Sequence, residues 1–191
     1  MKIIGITGGT GAGKSSVCDE LKKQGAEIVD CDKIARRIVE KGMPALDEIV
    51  EVFGTDVLTA DGNLDRKKMG KMVFSDSGKL ELLNQITHKH IFAEMEKQIE
   101  TSCADIVVLD VPLLFQCDFP IKCDVTVAVT ANKAVRIKRI MERDGITEDE
   151  ALARMSNQLT ESEYAELADV CFVNDGDREK ICEFAKRLCN G

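Results

Sequence analysis

The chain has 191 residues, of which 44% are hydrophobic and 31% charged; this is enough apolar material for one globular core with small insertions, and the charges are too well mixed for long disorder. Its 26 basic and 34 acidic residues leave a net charge of −8, which argues against a nucleic-acid binder or a ligand of anionic membranes, because both usually carry a basic surplus. No apolar run is long enough to span a bilayer, and Ile3-Ile4 run straight into glycines, so neither a transmembrane helix nor a secretory leader is expected.

The first element is a short apolar strand, Lys2 to Thr7, followed by Gly8-Gly9-Thr10-Gly11-Ala12-Gly13-Lys14-Ser15 and a helical pattern from Ser15 to about Gln24 that Gly25 stops. The eight residues from Gly8 match G-x-x-x-x-G-K-[ST] between a strand and a helix, which is the context the motif requires. Glycines let main-chain N–H groups wrap a polyphosphate, and the helix start adds free amides and a favourable dipole. Lys14 is spaced to reach the β- and γ-phosphates of ATP, and the Ser15 hydroxyl to ligate Mg²⁺. A dinucleotide loop fits less well: counted from Gly9 and Gly11, the third glycine of G-x-G-x-x-G is replaced by Lys14, although Asp30 stands where a ribose-binding acid would.

Glu27 to Asp30 reads as a second strand. Asp30-Cys31-Asp32 closes it, at the end of a sheet where ligands bind. Either acid is a candidate to accept or orient a hydroxyl proton, and either is equally a candidate N-cap for a helix from Lys33 to Glu40. Residues 33 to about 100 then show several helical patterns and no obvious strand. Three more strands read as buried runs: Ile106–Leu109, Val125–Val129 and Val170–Val173. Such non-alternating runs fit a parallel sheet covered on both faces. Asp110, directly after an apolar strand, is placed for a Mg²⁺-linked carboxylate, with a strand-end cap as the alternative.

Residues 133 to 163 read as two charged helices joined at Asp144-Gly145. The first carries Arg136, Arg139 and Arg143 at i, i+3 and i+7, a shared face suited to neutralising a transferring phosphoryl group or to a solvated surface. Arg154 and Gln158 continue that face. A last amphipathic helix runs from Arg178 to Leu188. The guanine signatures are missing: Asn132-Lys133-Ala134-Val135 lacks the acid of N-K-x-D, and Asp110-Val111-Pro112-Leu113 lacks the glycine of D-x-x-G. Eight cysteines without a C-x-x-C pair read as reduced, small core residues of a cytoplasmic protein, and His88 with His90 offers no metal-ligand spacing.

Together these residues resemble the dephospho-CoA kinase family. The likeness runs from Ile6–Ser15 through Val29-Asp30-Cys31-Asp32, Ile34-Ala35-Arg36, Phe53-Gly54, Leu64-Asp65-Arg66, Val73-Phe74, His88 and Asp110-Val111-Pro112-Leu113-Leu114-Phe115 to Arg139, Arg143, Gln158, Ala168-Asp169 and Asn174. The resemblance implies an α/β three-layer P-loop fold with a five-stranded parallel sheet. Its core would be residues 1–32, 101–132 and 164–191, with a helical acceptor insertion at 33–100 and a lid at 133–163. It implies phosphorylation of the ribose 3′-hydroxyl of dephospho-CoA by ATP with Mg²⁺, the last step of coenzyme A synthesis. A nucleoside or nucleotide kinase, and a nucleotide-binding module without catalysis, are the alternatives. By position the resemblance makes Asp32 the base, Lys14 and Arg139 its catalytic partners, and Gly9, Thr10, Gly11, Ala12, Gly13, Lys14, Ser15, Ser16, Arg143, Asn174 and Gly176 the ATP site. Ser15 and Asp110 would hold the metal. Asp32, Arg66, His88, Leu113 and Phe115 would meet the acceptor. A monomer or weak oligomer is expected. The chain departs from the family at Lys89, where Pro is usual, at Gln116 for Glu, at Ser16 for Thr and at Arg136 for Gln.

Overall fold

A computed structural model describes all 191 residues, which cluster into two units: Met1–Asp30 with Ser102–Gly191, and Cys31–Thr101. The first unit is built on five parallel strands, β1 (Lys2–Thr7), β2 (Glu27–Asp30), β3 (Ile106–Asp110), β4 (Val125–Thr130) and β5 (Val170–Val173), in the order β2-β3-β1-β4-β5. β1 is therefore central. Ile4 lies between Val108 and Val125, and Asp110 is level with both Ile6 and Asp30, so the carboxyl ends of β1, β2 and β3 finish together.

Side-chain parity decides what covers each face. Ile4, Ile6, Val108, Val127 and Val129 point one way and pack with Val17, Cys18 and Leu21 of α1 (Lys14–Lys23) and with Ile181, Phe184, Ala185 and Leu188 of α9 (Arg178–Asn190). Phe172 stacks on Phe184, with ring centroids 4.3 Å apart. This cluster is the core of the unit. The second unit contains α2 (Cys31–Arg37), α3 (Pro44–Phe53), α4 (Arg66–Phe74) and the 25-residue α5 (Ser77–Thr101), on which the other three helices pack. Asp65 caps α4 by accepting from the Lys67 and Lys68 amides.

Four sequence readings change. β5 alternates half-buried with exposed residues, because it is the sheet edge and only its Val170 and Phe172 face reaches the core. Cys171 is consequently exposed, and of the eight cysteines, all free, only Cys18 is buried. The segment after α6 (Lys133–Asp144) and α7 (Glu148–Met155) holds a third helix, α8 (Glu161–Leu167). Its start is a capping box, in which Thr160 and Glu163 bond each other's backbone N–H. Finally, α2 begins at Cys31 rather than at Lys33, so Asp32 lies in the first helical turn and is not the residue capping it.

Candidate active site

The loop from Gly8 to Gly13 leaves the carboxyl end of β1 and enters α1 at Lys14. Gly13 has φ 85°, a left-handed backbone that side chains disfavour, and a Cβ there would lie 2.2 Å from Asn174 Nδ2. Gly9 is confined by close approach alone, since a Cβ would lie 2.3 Å from Arg136 Nη2. The Ala12 amide donates to the Gly9 carbonyl (3.0 Å), and the Thr10 amide to Gln158 Oε1 (2.9 Å). The Gly11 and Gly13 amides make no hydrogen bond within the protein and precede the free N–H groups that any helix start leaves. Unengaged donors at a glycine loop that runs into a helix start suit an anion.

Lys14 Nζ pairs with Asp110 Oδ1 at the end of β3, both side chains being mostly buried. The second Asp110 oxygen is 3.8 Å from Cys18 Sγ, one turn further along α1. Burial pushes the Cys18 thiol up to about 11, despite the opposing field of Lys14. Asp110 is thus gripped from the helix that carries the loop. No periodicity flags Cys18 for this position, and its only sequence signal is the i+4 spacing from Lys14.

The three arginines expected on one face of α6 have different surroundings. Arg139 donates from Nη1 to the Gly11 and Ala12 carbonyls (3.2 and 3.3 Å) and from Nη2 to the Asn174 carbonyl (3.3 Å). Arg136, 5% exposed, donates from Nε to the Thr10 carbonyl (3.0 Å) and from Nη2 to Gln158 Oε1 (3.0 Å). Burial lowers the pKa of this guanidinium, partly opposed by the fields of Glu161 and Tyr164. Arg143 is turned aside into a two-pronged pair with Asp144 (2.8 and 2.9 Å), and Arg154 bonds the same carboxylate. The face is therefore continued to the loop by Gln158 and not by Arg154.

Asn174, just past β5, is 2% exposed and donates from Nδ2 to the Gly13 carbonyl (3.2 Å). Its backbone N–H donates to Thr130 (2.7 Å), and its Oδ1 accepts from Gly176 N–H (3.0 Å). It ties the last turn of the sheet to the loop. Asn132 caps α6 by accepting from the Ala134 amide (3.0 Å). In the same unit Leu113 is exposed and Phe115 half-buried, in the turns that follow β3.

Asp32, Arg66 and His88 belong to the second unit. Asp32 is exposed in the first turn of α2. Arg66 opens α4 and lines a hollow of about 400 Å³ with Arg36, Val39, Glu40, Asn63 and Leu64. His88 is not in that hollow; it stands against Phe92 on α5, with ring centroids 5.5 Å apart. Lys89, the departure from Pro, is inside α5 and donates to Glu48 (3.0 Å), whose other donor is His90 (2.8 Å).

Comparison with known proteins turns this geometry into an assignment. The CoaE dephospho-CoA kinase family model matches residues 2–180. The chain belongs to the dephospho-CoA kinase family. A dephospho-CoA kinase of Carboxydothermus hydrogenoformans is 41% identical over 96% of this chain and 90% of its own length. A crystal structure from Thermus thermophilus superposes with a TM-score of 0.86 at 30% identity, covering 99% of this chain and 96% of that one. Dephospho-CoA kinase from Campylobacter jejuni has the same fold, with a TM-score of 0.67 at 24% identity over 100% and 96% of the two chains. Membership of the dephospho-CoA kinases makes the chain an α/β P-loop kinase, and no helix is long and apolar enough to cross a membrane.

Proposed function

We propose that the chain transfers the terminal phosphoryl group of ATP to the 3′-hydroxyl of the ribose in dephospho-CoA, giving coenzyme A and ADP in the cytoplasm. The observation that carries this reading is the loop itself: unengaged Gly11 and Gly13 amides leading into a mostly buried Lys14–Asp110 pair, in a chain of this family. The loop amides and Lys14 bind the β- and γ-phosphates. When the polyphosphate arrives, Lys14 exchanges its carboxylate partner for phosphate oxygens. Arg139, already lying along the Gly11 and Ala12 carbonyls, adds positive charge at the transferring group. Arg143, Ser16 and Gly176 complete the nucleotide side, with Asn174 holding the loop.

Asp32 accepts the proton of the ribose hydroxyl as the new O–P bond forms and the bond to ADP breaks. It stands exposed in the first turn of α2, open to an incoming hydroxyl. Arg66, His88, Leu113 and Phe115 belong to acceptor binding, and residues 33–100 form the acceptor insertion. Residues 133–163 act as the lid that excludes water, a competing acceptor. A hydroxyl and a carboxylate are the hard oxygen ligands that Mg²⁺ takes beside phosphates, so Ser15 and Asp110 fit that ion. When bound it neutralises charge on the phosphate oxygens.

The test is acceptor-dependent ADP release with dephospho-CoA, AMP, CMP and nucleosides offered separately. Turnover with dephospho-CoA alone is expected; turnover only with a nucleoside or nucleotide would replace the reading. Asp32→Asn should keep ATP binding and lower kcat about 10²- to 10⁴-fold. Near-normal turnover would remove Asp32 from its role. Lys14→Ala should weaken both nucleotide binding and rate, each by about tenfold or more.

A further inference from the structure

Thr10 precedes the unengaged Gly11 and Gly13 amides, and all three of its polar groups are held by two side chains. Its N–H donates to Gln158 Oε1 (2.9 Å), and its hydroxyl accepts from Gln158 Nε2 (2.9 Å). Its carbonyl accepts from Arg136 Nε (3.0 Å), and Arg136 Nη2 closes the ring on Gln158 Oε1 (3.0 Å). Arg136 comes from α6 and Gln158 from the turn after α7, which ends at Met155. Both bear on the loop from outside the strand and helix that carry it.

The arrangement is more specific than packing demands. A guanidinium 5% exposed is costly to bury, and apolar side chains of similar volume would fill the space at less cost. The fork instead meets a carbonyl and an amide oxygen, so two of the five guanidinium N–H groups are committed to Thr10 and to the side chain that braces it. Gln158 uses both ends of its amide on one residue. Gly9 has no room for a Cβ beside Arg136 Nη2, so the loop comes as close to this arginine as main chain can.

We propose that Gln158 and Arg136 are positioning residues for the ATP triphosphate. They fix the Thr10 peptide, and through it the direction in which the Gly11 and Gly13 amides face, without touching the nucleotide. This rests on the P-loop kinase reading above and adds to it a link from the 133–163 segment to the loop. A loosened Thr10 lets the following amides turn among several directions. The phosphates then pay the ordering cost on binding, which raises the KM for ATP while the acceptor KM stays put.

The experiment compares wild type, Gln158→Met and Gln158→Glu by steady-state kinetics in both substrates and by amide hydrogen exchange at Thr10 in the nucleotide-free protein. Gln158→Met keeps the side-chain length and removes every hydrogen bond. It should speed Thr10 exchange and raise the ATP KM about tenfold, with the acceptor KM within about twofold of wild type. Gln158→Glu keeps an oxygen for the Thr10 amide and for Arg136, and should recover slow exchange and most of the ATP KM. An ATP KM within about twofold of wild type in Gln158→Met, or an equal rise in both KM values, would overturn the proposal. If Gln158→Met does not fold, fast Thr10 exchange in Gln158→Glu would overturn it, and slow exchange with a near-normal ATP KM would support it. Absence of wild-type turnover on dephospho-CoA would count against the kinase reading instead, since the exchange measurement needs no substrate.

Discussion

Gly13 is held by backbone and neighbour at once: φ is 85°, and the Asn174 amide group occupies the space a Cβ would need. Gly13→Ala should therefore destabilise the fold by about 1–3 kcal/mol and weaken ATP binding as the loop shifts. Chemical denaturation and the ATP KM check the two halves separately. Cys18 makes a second prediction at this scale. With its thiol near 11, almost none is ionised at pH 8, and the thiolate is the reactive form. Iodoacetamide at pH 8 should leave Cys18 unlabelled in the folded protein while modifying the exposed Cys103 and Cys171. Peptide mass mapping reads this directly, and labelling of Cys18 at the rate of Cys171 would contradict the burial. The expectation of eight core cysteines failed here because an apolar run does not reveal whether its strand lies at a sheet edge.

Among the elements, the joint between β4 and β5 depends on Asp169. Its carboxylate accepts from the Thr126 amide (2.8 Å) and hydroxyl (2.7 Å), and its own N–H donates to the Thr126 hydroxyl (3.0 Å). The two bonds from Thr126 hold the Asp169 carboxyl below its usual pKa. A carboxyl lowered in the folded state adds stability above its unfolded value, about 3.9, and loses it as pH falls through the folded value. Asp169→Asn should thus lower the unfolding temperature at pH 7, with the gap from wild type closing as pH drops below about 4. A gap that persists unchanged at pH 3 would assign the effect to packing. The α6 face shows the reach of helical spacing: i, i+3 and i+7 put Arg136, Arg139 and Arg143 on one side. Spacing does not say that Asp144 would turn Arg143 and Arg154 away while Arg136 is buried against Thr10.

For the molecule as a whole, a ligand that binds only the folded chain must raise its stability. At a hundredfold excess over Kd the gain is about 2.7 kcal/mol. In a chain of this size that is a shift of about 5–10 °C in the unfolding midpoint. Calorimetry with ATP should show it, and Lys14→Ala should lose most of it. An equal shift in both proteins would mean that the nucleotide binds elsewhere.

The glycine loop, the five strands and the acids at two strand ends were readable along the chain, because each depends on residues within about ten positions: turn glycines, β-branched runs, a helix start. Strand order, the edge position of β5 and the partners of Asp110 were not. They join residues as far apart as Lys14 and Asp110, or Thr10 and Gln158. No local propensity encodes which donor meets which acceptor across such gaps; the sheet register and the packing of α6 against the loop decide it.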